Sequence, residues 1–228
     1  MSTGILLGKT WRVATWNVHG LRGGVAAVAQ VVRDEAIDVL LLQESGPRRR
    51  LRGLGKELGW IVFDDPRAFP RRRVQNAVLL RSSPAGRVRS RLVRFEGASA
   101  LHPRGALLAG FDDGRTAVSV HLGLRGPERG RHIEQLAQML EGSSSTFVIG
   151  ADLNARPEEM GPVAVTGWAT DCWAAVGAGT GATFPSSEPT ARIDYLFVSP
   201  AIRPLRAWTV ASTASDHLML VADVGLDP

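Results

Sequence analysis

Residues 146–154 read Thr-Phe-Val-Ile-Gly-Ala-Asp-Leu-Asn, and the rest of the chain is organised around this stretch. Its first four residues are β-branched or aromatic, which predicts a buried strand, and Gly150 is then expected to let the backbone turn. Asp152 and Asn154 lie two positions apart, so both side chains leave on one side if the backbone stays extended. A carboxylate and an amide placed in this way can hold a water molecule and an oxyanion. A strand closed by an Asx turn explains the same two residues equally well.

Apolar runs and alternating patterns predict further strands on both sides of this stretch. They are Trp11–Val18, Val39–Leu42, Trp60–Phe63, Asn76–Leu80, Val88–Phe95, Gly105–Phe111, Arg115–His121, Ile193–Val198, Arg206–Val210 and Leu218–Val224. Asp113 and Gly114 predict a tight hairpin. Apolar stripes at helical spacing predict helices over Val25–Ala36 and around Ile133–Leu140. A basic loop is expected at Pro47–Arg52, leading into a short helical segment near Leu54–Leu58. Further loops are expected at Leu122–Gly130 and Gly177–Pro189, the last long enough to indicate a functional role.

Length and composition favour one domain spanning residues 1–228. A chain of 228 residues with 44% hydrophobic content can bury a large core. No run approaches the ~20 apolar residues of a membrane helix, and the N-terminus lacks a secretion signal, so we expect a cytoplasmic protein without a membrane span. Cys172 is the only cysteine, which excludes an internal disulfide and a thiolate zinc site. A metal ion would therefore be bound by oxygen or imidazole.

The net charge of +5 comes almost entirely from arginine, since lysine occurs only at Lys9 and Lys56. Guanidinium groups bind phosphates through two parallel hydrogen bonds, so this composition fits an anionic partner. The segments Arg48–Arg52 and Arg71–Arg73 are the candidates for following a phosphate backbone. A solvated arginine-rich face, or coding bias, explains the composition equally well.

Polar side chains recur where apolar strands are predicted to end, or in the adjoining loop. They are Asn17, Glu44, His121, Asp152, Asn154, Asp194, Asp216 and His217. Because chance would scatter such residues, this repetition predicts that several strand ends meet at one site.

Six short motifs in a fixed order carry a resemblance to a known family. They are Thr-Trp-Asn-Val-His-Gly at 15–20, Leu-Gln-Glu at 42–44, Val-His-Leu at 120–122, Gly-Ala-Asp-Leu-Asn at 150–154, Arg-Ile-Asp-Tyr at 192–195 and Ser-Asp-His at 215–217. The chain resembles the endonuclease/exonuclease/phosphatase superfamily of deoxyribonuclease-like, metal-dependent phosphoesterases. The resemblance implies an α/β fold, a four-layer α-β-β-α sandwich of two packed mixed sheets flanked by helices.

The resemblance also implies roles for individual residues. Glu44 is similar to the principal Mg²⁺ ligand of the family, with Asn17 supporting the ion and Asp216 as a second carboxylate beside it. A hard ion of this kind keeps most of its waters and needs only one or two carboxylates. Mn²⁺ is expected to substitute, and whether one or two ions bind stays open. Solvated strand-end or turn-forming roles are the alternatives for Glu44 and Asn17.

Asp152 is similar to the family carboxylate that orients and deprotonates the attacking water, and Asn154 to the amide that contacts the phosphate. Asp194 and His217 match a pair in which the aspartate fixes the imidazole tautomer. His217 then acts either as general base or as a positively charged stabiliser, and both remain open. His121 matches a histidine that some branches use as a donor to the phosphate or leaving oxygen, the alternative being a satisfied core histidine.

Three further histidines and two other polar residues receive weaker predictions. His19, His102 and His132 are expected at the surface or in loops. Asn76 is a candidate phosphate contact, and Arg192 is expected to neutralise carboxylates rather than to bind substrate.

The leading hypothesis is a Mg²⁺-dependent phosphoester hydrolase working by in-line attack of water, with a phosphodiester in DNA or RNA as the candidate substrate. The alternative enzyme is a small-molecule or lipid-headgroup phosphatase or phosphodiesterase. A catalytically silent binding module on the same fold is a third possibility, because fold does not determine function. No obligate protein partner is inferred.

Overall fold

The computed structural model describes residues 10–66, 72–82, 86–141 and 146–226, and these form two six-stranded β-sheets with helices on their outer faces. The strands are β1 (Thr10–Asn17), β2 (Val39–Gln43), β3 (Ile61–Asp64), β4 (Ala77–Leu80), β5 (Val88–Arg94), β6 (Gly105–Phe111), β7 (Arg115–His121), β8 (Thr146–Asp152), β9 (Thr170–Asp171), β10 (Asp194–Val198), β11 (Arg203–Val210) and β12 (Met219–Gly225). The helices are α1 (Val25–Asp34), α2 (Arg48–Leu58), α3 (Gly126–Glu141), α4 (Met160–Thr166) and α5 (Cys172–Val176), with a short 3-10 turn at His19–Leu21. In this part of the chain no helix is both long and apolar enough to cross a membrane.

Both sheets are mixed. The first has the strand order β11-β12-β1-β2-β4-β3 and the second β5-β6-β7-β8-β10-β9. The pairs β1–β2 and β7–β8 are parallel, and the remaining neighbours run antiparallel. The predicted four-layer sandwich is confirmed, whereas the single-domain assignment of residues 1–228 stays a prediction.

Three apolar clusters hold the four layers together. The central cluster lies between the sheets and joins residues such as Val39 and Leu41 of β2 to Val148 of β8. One outer cluster packs α1 and α2 on the first sheet, and the other packs α3 and α4 on the second. Since both faces of each sheet are covered, central strands such as β2 are apolar at every position rather than at alternate ones.

One edge of the sandwich gathers the predicted site residues, although not always at strand ends. The strands β1, β2, β7 and β8 run toward this edge and finish near Asn17 or Asp152. Asp194, by contrast, is the first residue of β10, and it lies opposite Asp152 because β10 runs antiparallel to β8. His217 likewise precedes β12, which is antiparallel to β1. The prediction that such residues lie at the end of a strand or in the adjoining loop was therefore wrong for Asp194, whereas His217 does lie in the loop that follows β11. Antiparallel pairing brings both residues to the same edge.

Gly150 is not a turn residue, as had been expected, but lies inside β8. A Cβ atom at this position would lie 2.7 Å from Leu41 Cβ and 2.8 Å from Thr15 Cβ, both on the opposing sheet. The absence of a side chain therefore allows the two sheets to approach closely beside the site.

Two predicted loops are partly helical. The arginine-rich segment 48–52 forms the first turns of α2, with Pro47 as its N-cap. Leu51 and Leu54 turn inward while the neighbouring arginines face outward, so the helix is amphipathic. Helix α3 begins at Gly126, within the segment 122–130 that was expected to be a loop.

Candidate active site

A buried aspartate and histidine form the centre of the site. His217 Nδ1 lies 2.8 Å from Asp194 Oδ2, and the Thr183 hydroxyl donates to the same oxygen. The ring of Phe184 lies 4.8 Å from the imidazole, and the Trp16 indole donates to the His217 carbonyl at 2.9 Å. The imidazole is therefore held in one orientation, with its Nδ1–H directed at Asp194.

His217 lies in a strongly acidic environment. Burial by itself lowers the pKa of this imidazole, but the charge of Asp194, its hydrogen bond, and the charges of Asp152 and Asp216 raise the pKa to about 9. The side chain is consequently an imidazolium at neutral pH.

Asp152 lies next to this pair and receives donors from three directions. The Asn17 side-chain amide donates to Asp152 Oδ2 at 2.9 Å, and the backbone N–H of Asn154 donates to Oδ1 at 3.0 Å. His121 Nε2 lies 3.4 Å from Oδ2. One ligand atom each of Asp152, Asp194 and His217 lie within 4.8 Å of one another, a spacing able to hold a metal ion.

Asn154 does not continue the strand beyond Asp152. Its φ of +50° is left-handed, so the expectation that Asp152 and Asn154 project together from an extended backbone was wrong. The N–H bond to Asp152 makes an Asx-type turn, and the side-chain amide donates to the Leu122 carbonyl at 3.1 Å. The residue thus closes the strand locally as well as lying beside the carboxylate.

The three predicted metal-binding residues are linked through the turn at His19–Leu21. The His19 N–H donates to Asn17 Oδ1 at 3.1 Å, and its imidazole Nδ1 lies 3.4 Å from Asp216 Oδ2. The next residue, Gly20, donates its N–H to the Glu44 carbonyl at 2.7 Å. Asn17, Glu44 and Asp216 are therefore neighbours, and His19, expected at the surface, lies among them.

Glu44 opens onto a cleft of about 540 Å³ that His121 also lines. Among the described residues, the lining includes one carboxylate, that of Glu44, and no Trp, Tyr or Phe. Its basic residues are His19, Arg22, Arg50, Arg72, Arg73, His102, Arg104 and His121. Arg71, predicted to belong with this group, lies outside the described residues. The cleft is strongly cationic and adjoins the carboxylates.

His121 is buried at the end of β7. Burial disfavours its imidazolium form and, although Asp152 raises the pKa, the charges of Arg104 and His217 reinforce the burial, so the pKa falls to about 3. This imidazole is neutral throughout the physiological range.

Three other residues lie in surroundings that differ from those predicted. His132, expected at the surface, is fully buried on α3 and stacks on Phe95. Asn76 donates both amide hydrogens to backbone carbonyls of the second sheet, so it joins the sheets rather than facing a ligand. Arg192 does neutralise a carboxylate, but that of Asp171 at 2.7 Å.

Sequence analysis missed two buried polar residues in this region. Gln43 spans the gap between the sheets and donates to the Gly150 carbonyl at 3.2 Å. Thr183 comes from the long loop 177–189, where composition gives no indication that one buried hydroxyl reaches Asp194.

Comparisons with known proteins agree on one group. The model of the Endonuclease/Exonuclease/phosphatase family matches residues 14–217. A crystal structure of an endonuclease/exonuclease/phosphatase from Bacteroides vulgatus superimposes with a TM-score of 0.81 at 17% identity, covering 96% of this chain and 99% of that one. The structure of D. rerio TDP2 complexed with single-strand DNA product superimposes with a TM-score of 0.75 at 18% identity, covering 96% of this chain and 100% of that one. A mannosyl-6-phosphatase from Bacteroides thetaiotaomicron superimposes with a TM-score of 0.72 at 18% identity, covering 94% of this chain and 99% of that one. No curated protein matches the sequence.

Proposed function

The chain belongs to the endonuclease/exonuclease/phosphatase family, whose members are phosphoester hydrolases, and on that premise we propose that it is a Mg²⁺-dependent phosphodiesterase acting on DNA or RNA. The observation that carries this proposal is the buried group Asp152, Asp194 and His217 beside an arginine-lined cleft. The buried group supplies proton transfer and charge stabilisation, and the cleft supplies binding for phosphates.

The side chains near Glu44 suit a hard divalent cation. Within the described residues, no hydrogen bond or ion pair engages the Glu44 carboxylate, which leaves both of its oxygens available to a ligand. Asn17 and Asp216 provide further oxygen donors close by, and oxygen is the ligand that Mg²⁺ prefers. We assign the ion to Glu44, Asn17 and Asp216. When bound, it neutralises charge on the phosphoryl oxygens.

Asp152 is the residue best placed to orient and deprotonate water. Its carboxylate is fixed by Asn17 and by the Asn154 N–H. Histidine 217 is already protonated at neutral pH, so it serves as a cationic donor to the developing charge rather than as the base. Asp194 keeps that cation oriented through Nδ1.

The arginines favour a substrate with more than one phosphate. Arg22, Arg50 and Arg72 line the cleft, and within the described residues none of them forms an ion pair with a carboxylate. Arg22 contacts His19 Nε2 and Arg50 donates to the Gly20 carbonyl, but neither bond neutralises the charge of the guanidinium. Guanidinium charges at several points of one cleft match a phosphate backbone better than a single phosphate group. The likeness to D. rerio TDP2 complexed with a single-strand DNA product is consistent with this choice.

A small phosphorylated molecule is the second candidate substrate. The described part of the cleft lining offers no aromatic ring on which a nucleobase would stack. The fold is also shared with a mannosyl-6-phosphatase.

A substrate panel separates the two candidates. The purified full-length chain is incubated with plasmid DNA, a single-stranded oligonucleotide, a model phosphodiester and a sugar phosphate, each with Mg²⁺, with Mn²⁺ and with EDTA. We expect cleavage of nucleic acid and diester that EDTA abolishes. Hydrolysis of the phosphomonoester alone would eliminate the nuclease proposal, and metal-independent hydrolysis would eliminate the metal assignment.

Substitutions of Asp152 and His217 test whether a measured activity comes from this site. Asp152→Asn and His217→Gln should each lower kcat by roughly 10²-fold or more while leaving the thermal transition cooperative. Asp34→Asn, which alters an exposed carboxylate at the end of α1, is the matched control and should retain full activity. Near-normal rates in Asp152→Asn or His217→Gln would remove that residue from the mechanism.

A further inference from the structure

Arg104 lies at the junction of the cleft and the buried site. It immediately precedes β6, whose first residue, Gly105, pairs directly with His121 across the β6–β7 ladder. The Arg104 carbonyl accepts the Phe95 N–H at 3.0 Å, which fixes the backbone at this point. The backbone of Arg104 is therefore fixed next to the Gly105–His121 pair, at the end of the β6–β7 ladder.

The side chains of Arg104 and His121 form a hydrogen bond in which the arginine must be the donor. Arg104 Nη1 lies 3.0 Å from His121 Nδ1. A guanidinium has only N–H donors and stays protonated, so the imidazole nitrogen that it meets must present a lone pair. An imidazolium has no lone pair, and neither does the Nδ1–H tautomer at that atom. The contact therefore admits one form of His121, the neutral ring protonated on Nε2.

We propose that Arg104 is a positioning residue that holds His121 as a neutral imidazole with its Nε2–H directed at Asp152 and, in the proposed reaction, at the phosphate. The Nε2 atom lies 3.4 Å from Asp152 Oδ2, a long contact that leaves this hydrogen free to be shared with a ligand oxygen. The catalytic consequence rests on the proposed function, whereas the protonation form follows from the contact itself.

The surroundings of His121 support this form. Arg104 and His217 are cationic and oppose a second positive charge, burial opposes it further, and Asp152 alone favours it. A neutral imidazole N–H donates a hydrogen bond but does not release its proton near neutral pH. His121 thus stabilises charge by donation, and the leaving oxygen takes its proton from another group.

Histidine NMR tests the proposal directly. In the metal-free, full-length protein labelled with ¹⁵N-histidine, long-range ¹H–¹⁵N correlations report which ring nitrogen carries hydrogen, with His121→Gln giving the assignment. We expect His121 to show the Nε2–H tautomer at pH 7 and no titration down to pH 5. An Nδ1–H tautomer, or an imidazolium at pH 7, would overturn the proposal.

Substitution of Arg104 tests whether this residue sets the protonation form of His121. Arg104→Met removes the donors while keeping much of the aliphatic bulk, and the pKa of His121 should then rise by roughly one unit or more, with loss of the fixed tautomer. Arg125→Gln, at an exposed arginine just before α3, should leave the His121 signals unchanged. An unaltered His121 in Arg104→Met would mean that the arginine does not set the protonation form.

Kinetics distinguish positioning from phosphate binding. On whichever phosphoester is hydrolysed, Arg104→Met should lower kcat by about 10-fold with little change in KM. A raised KM with normal kcat would show Arg104 to be a phosphate ligand and would contradict the proposal. If no phosphoester is hydrolysed, the proposed function fails, and the NMR measurement still decides the role of Arg104.

Discussion

Left-handed backbone is concentrated around the site. His19, Glu44 and Asn154 have φ values of +44°, +46° and +50°. Residues with a Cβ atom adopt this region at a cost of about 1–3 kcal/mol, with asparagine the most tolerant. The Glu44 carbonyl accepts the Gly20 N–H at 2.7 Å, but its carboxylate receives no hydrogen bond from the described residues. Strain retained at a carboxylate that faces the cleft supports a ligand-binding role.

Glu44→Gly is predicted to separate stability from function. Glycine adopts positive φ without steric cost, so the free energy of unfolding in EDTA should rise by roughly 0.5–1 kcal/mol. Glu44→Gln keeps the strained backbone and should give no gain. Both variants should lose Mg²⁺-dependent activity, as measured beside urea denaturation. An active Glu44→Gly enzyme would refute the metal assignment.

His121 is predicted to make the protein acid-sensitive. Its pKa is about 3 in the folded chain and near 6.5 when unfolded, so below pH 6.5 the unfolded state binds the additional proton. Stability is therefore fully present above 6.5 and falls as the pH decreases toward 3. Between pH 7 and 5.5 the wild type should lose about 1 kcal/mol more than His121→Gln in urea titrations. Parallel losses in the two proteins would contradict the buried neutral histidine.

The chemistry of single residues was easier to predict from the sequence than their partners. Polar residues beside apolar strands predicted that Asp152 and His217 share one site, and the structure places a ligand atom of each within 4.8 Å of the other. The hairpin turn at Gly114 predicts that Gly105 lies opposite His121, but the contact of Arg104 with His121 was not predictable, because Arg104 precedes β6 and strand alternation says nothing of its side chain. Thr183 was not predictable either, because its contact with Asp194 depends on the path of a loop without periodicity.

Among the secondary-structure elements, α2 shows why the arginine segment was misread. A helical segment near Leu54–Leu58 was predicted, but arginine also has good helix propensity, and the polar run 48–52 obscured the fact that Leu51 continues the same stripe as Leu54 and Leu58. Once α2 packs on α1 and the first sheet, this spacing presents an apolar stripe to the core. The helix then directs Arg50 into the cleft while Arg48 pairs with Asp64.

Paired glycine substitutions are predicted to have opposite effects in β8 and α3. In Gly150→Ala the new Cβ meets Leu41 Cβ at 2.7 Å and Thr15 Cβ at 2.8 Å, so the sheets must move apart, at a cost of about 1–3 kcal/mol. Gly130→Ala meets nothing within 4 Å in α3, and should stabilise by about 0.5–1 kcal/mol. Thermal and urea denaturation measure both. Equal stability of the two variants would contradict the close sheet packing.

For the whole molecule, the layers were predictable but the strand order was not. Strands apolar at every position require cover on both faces, which implies stacked sheets with outer helices. The pairing of β12 with β1 joins residues more than 200 positions apart, and no local sequence pattern indicates that these two strands are neighbours. That pairing nevertheless brings His217 to Trp16, so the site depends on the least predictable contact.

The charge distribution gives the last prediction, on salt. With Asp152→Asn to prevent cleavage and EDTA present, binding of a fluorescent single-stranded oligonucleotide should weaken steeply with ionic strength, because each phosphate held by an arginine releases a counterion on binding. Arg50→Gln and Arg72→Gln should each reduce the slope of log K against log salt by about 1. Arg203→Gln is the matched control, because Arg203 lies at the opposite end of the first sheet from Asn17. It pairs there with Gly225, which in turn pairs with Thr10, the first residue of β1. Unchanged slopes in both cleft variants would mean that the arginines do not follow a phosphate backbone, and a small phosphorylated molecule would become the favoured substrate.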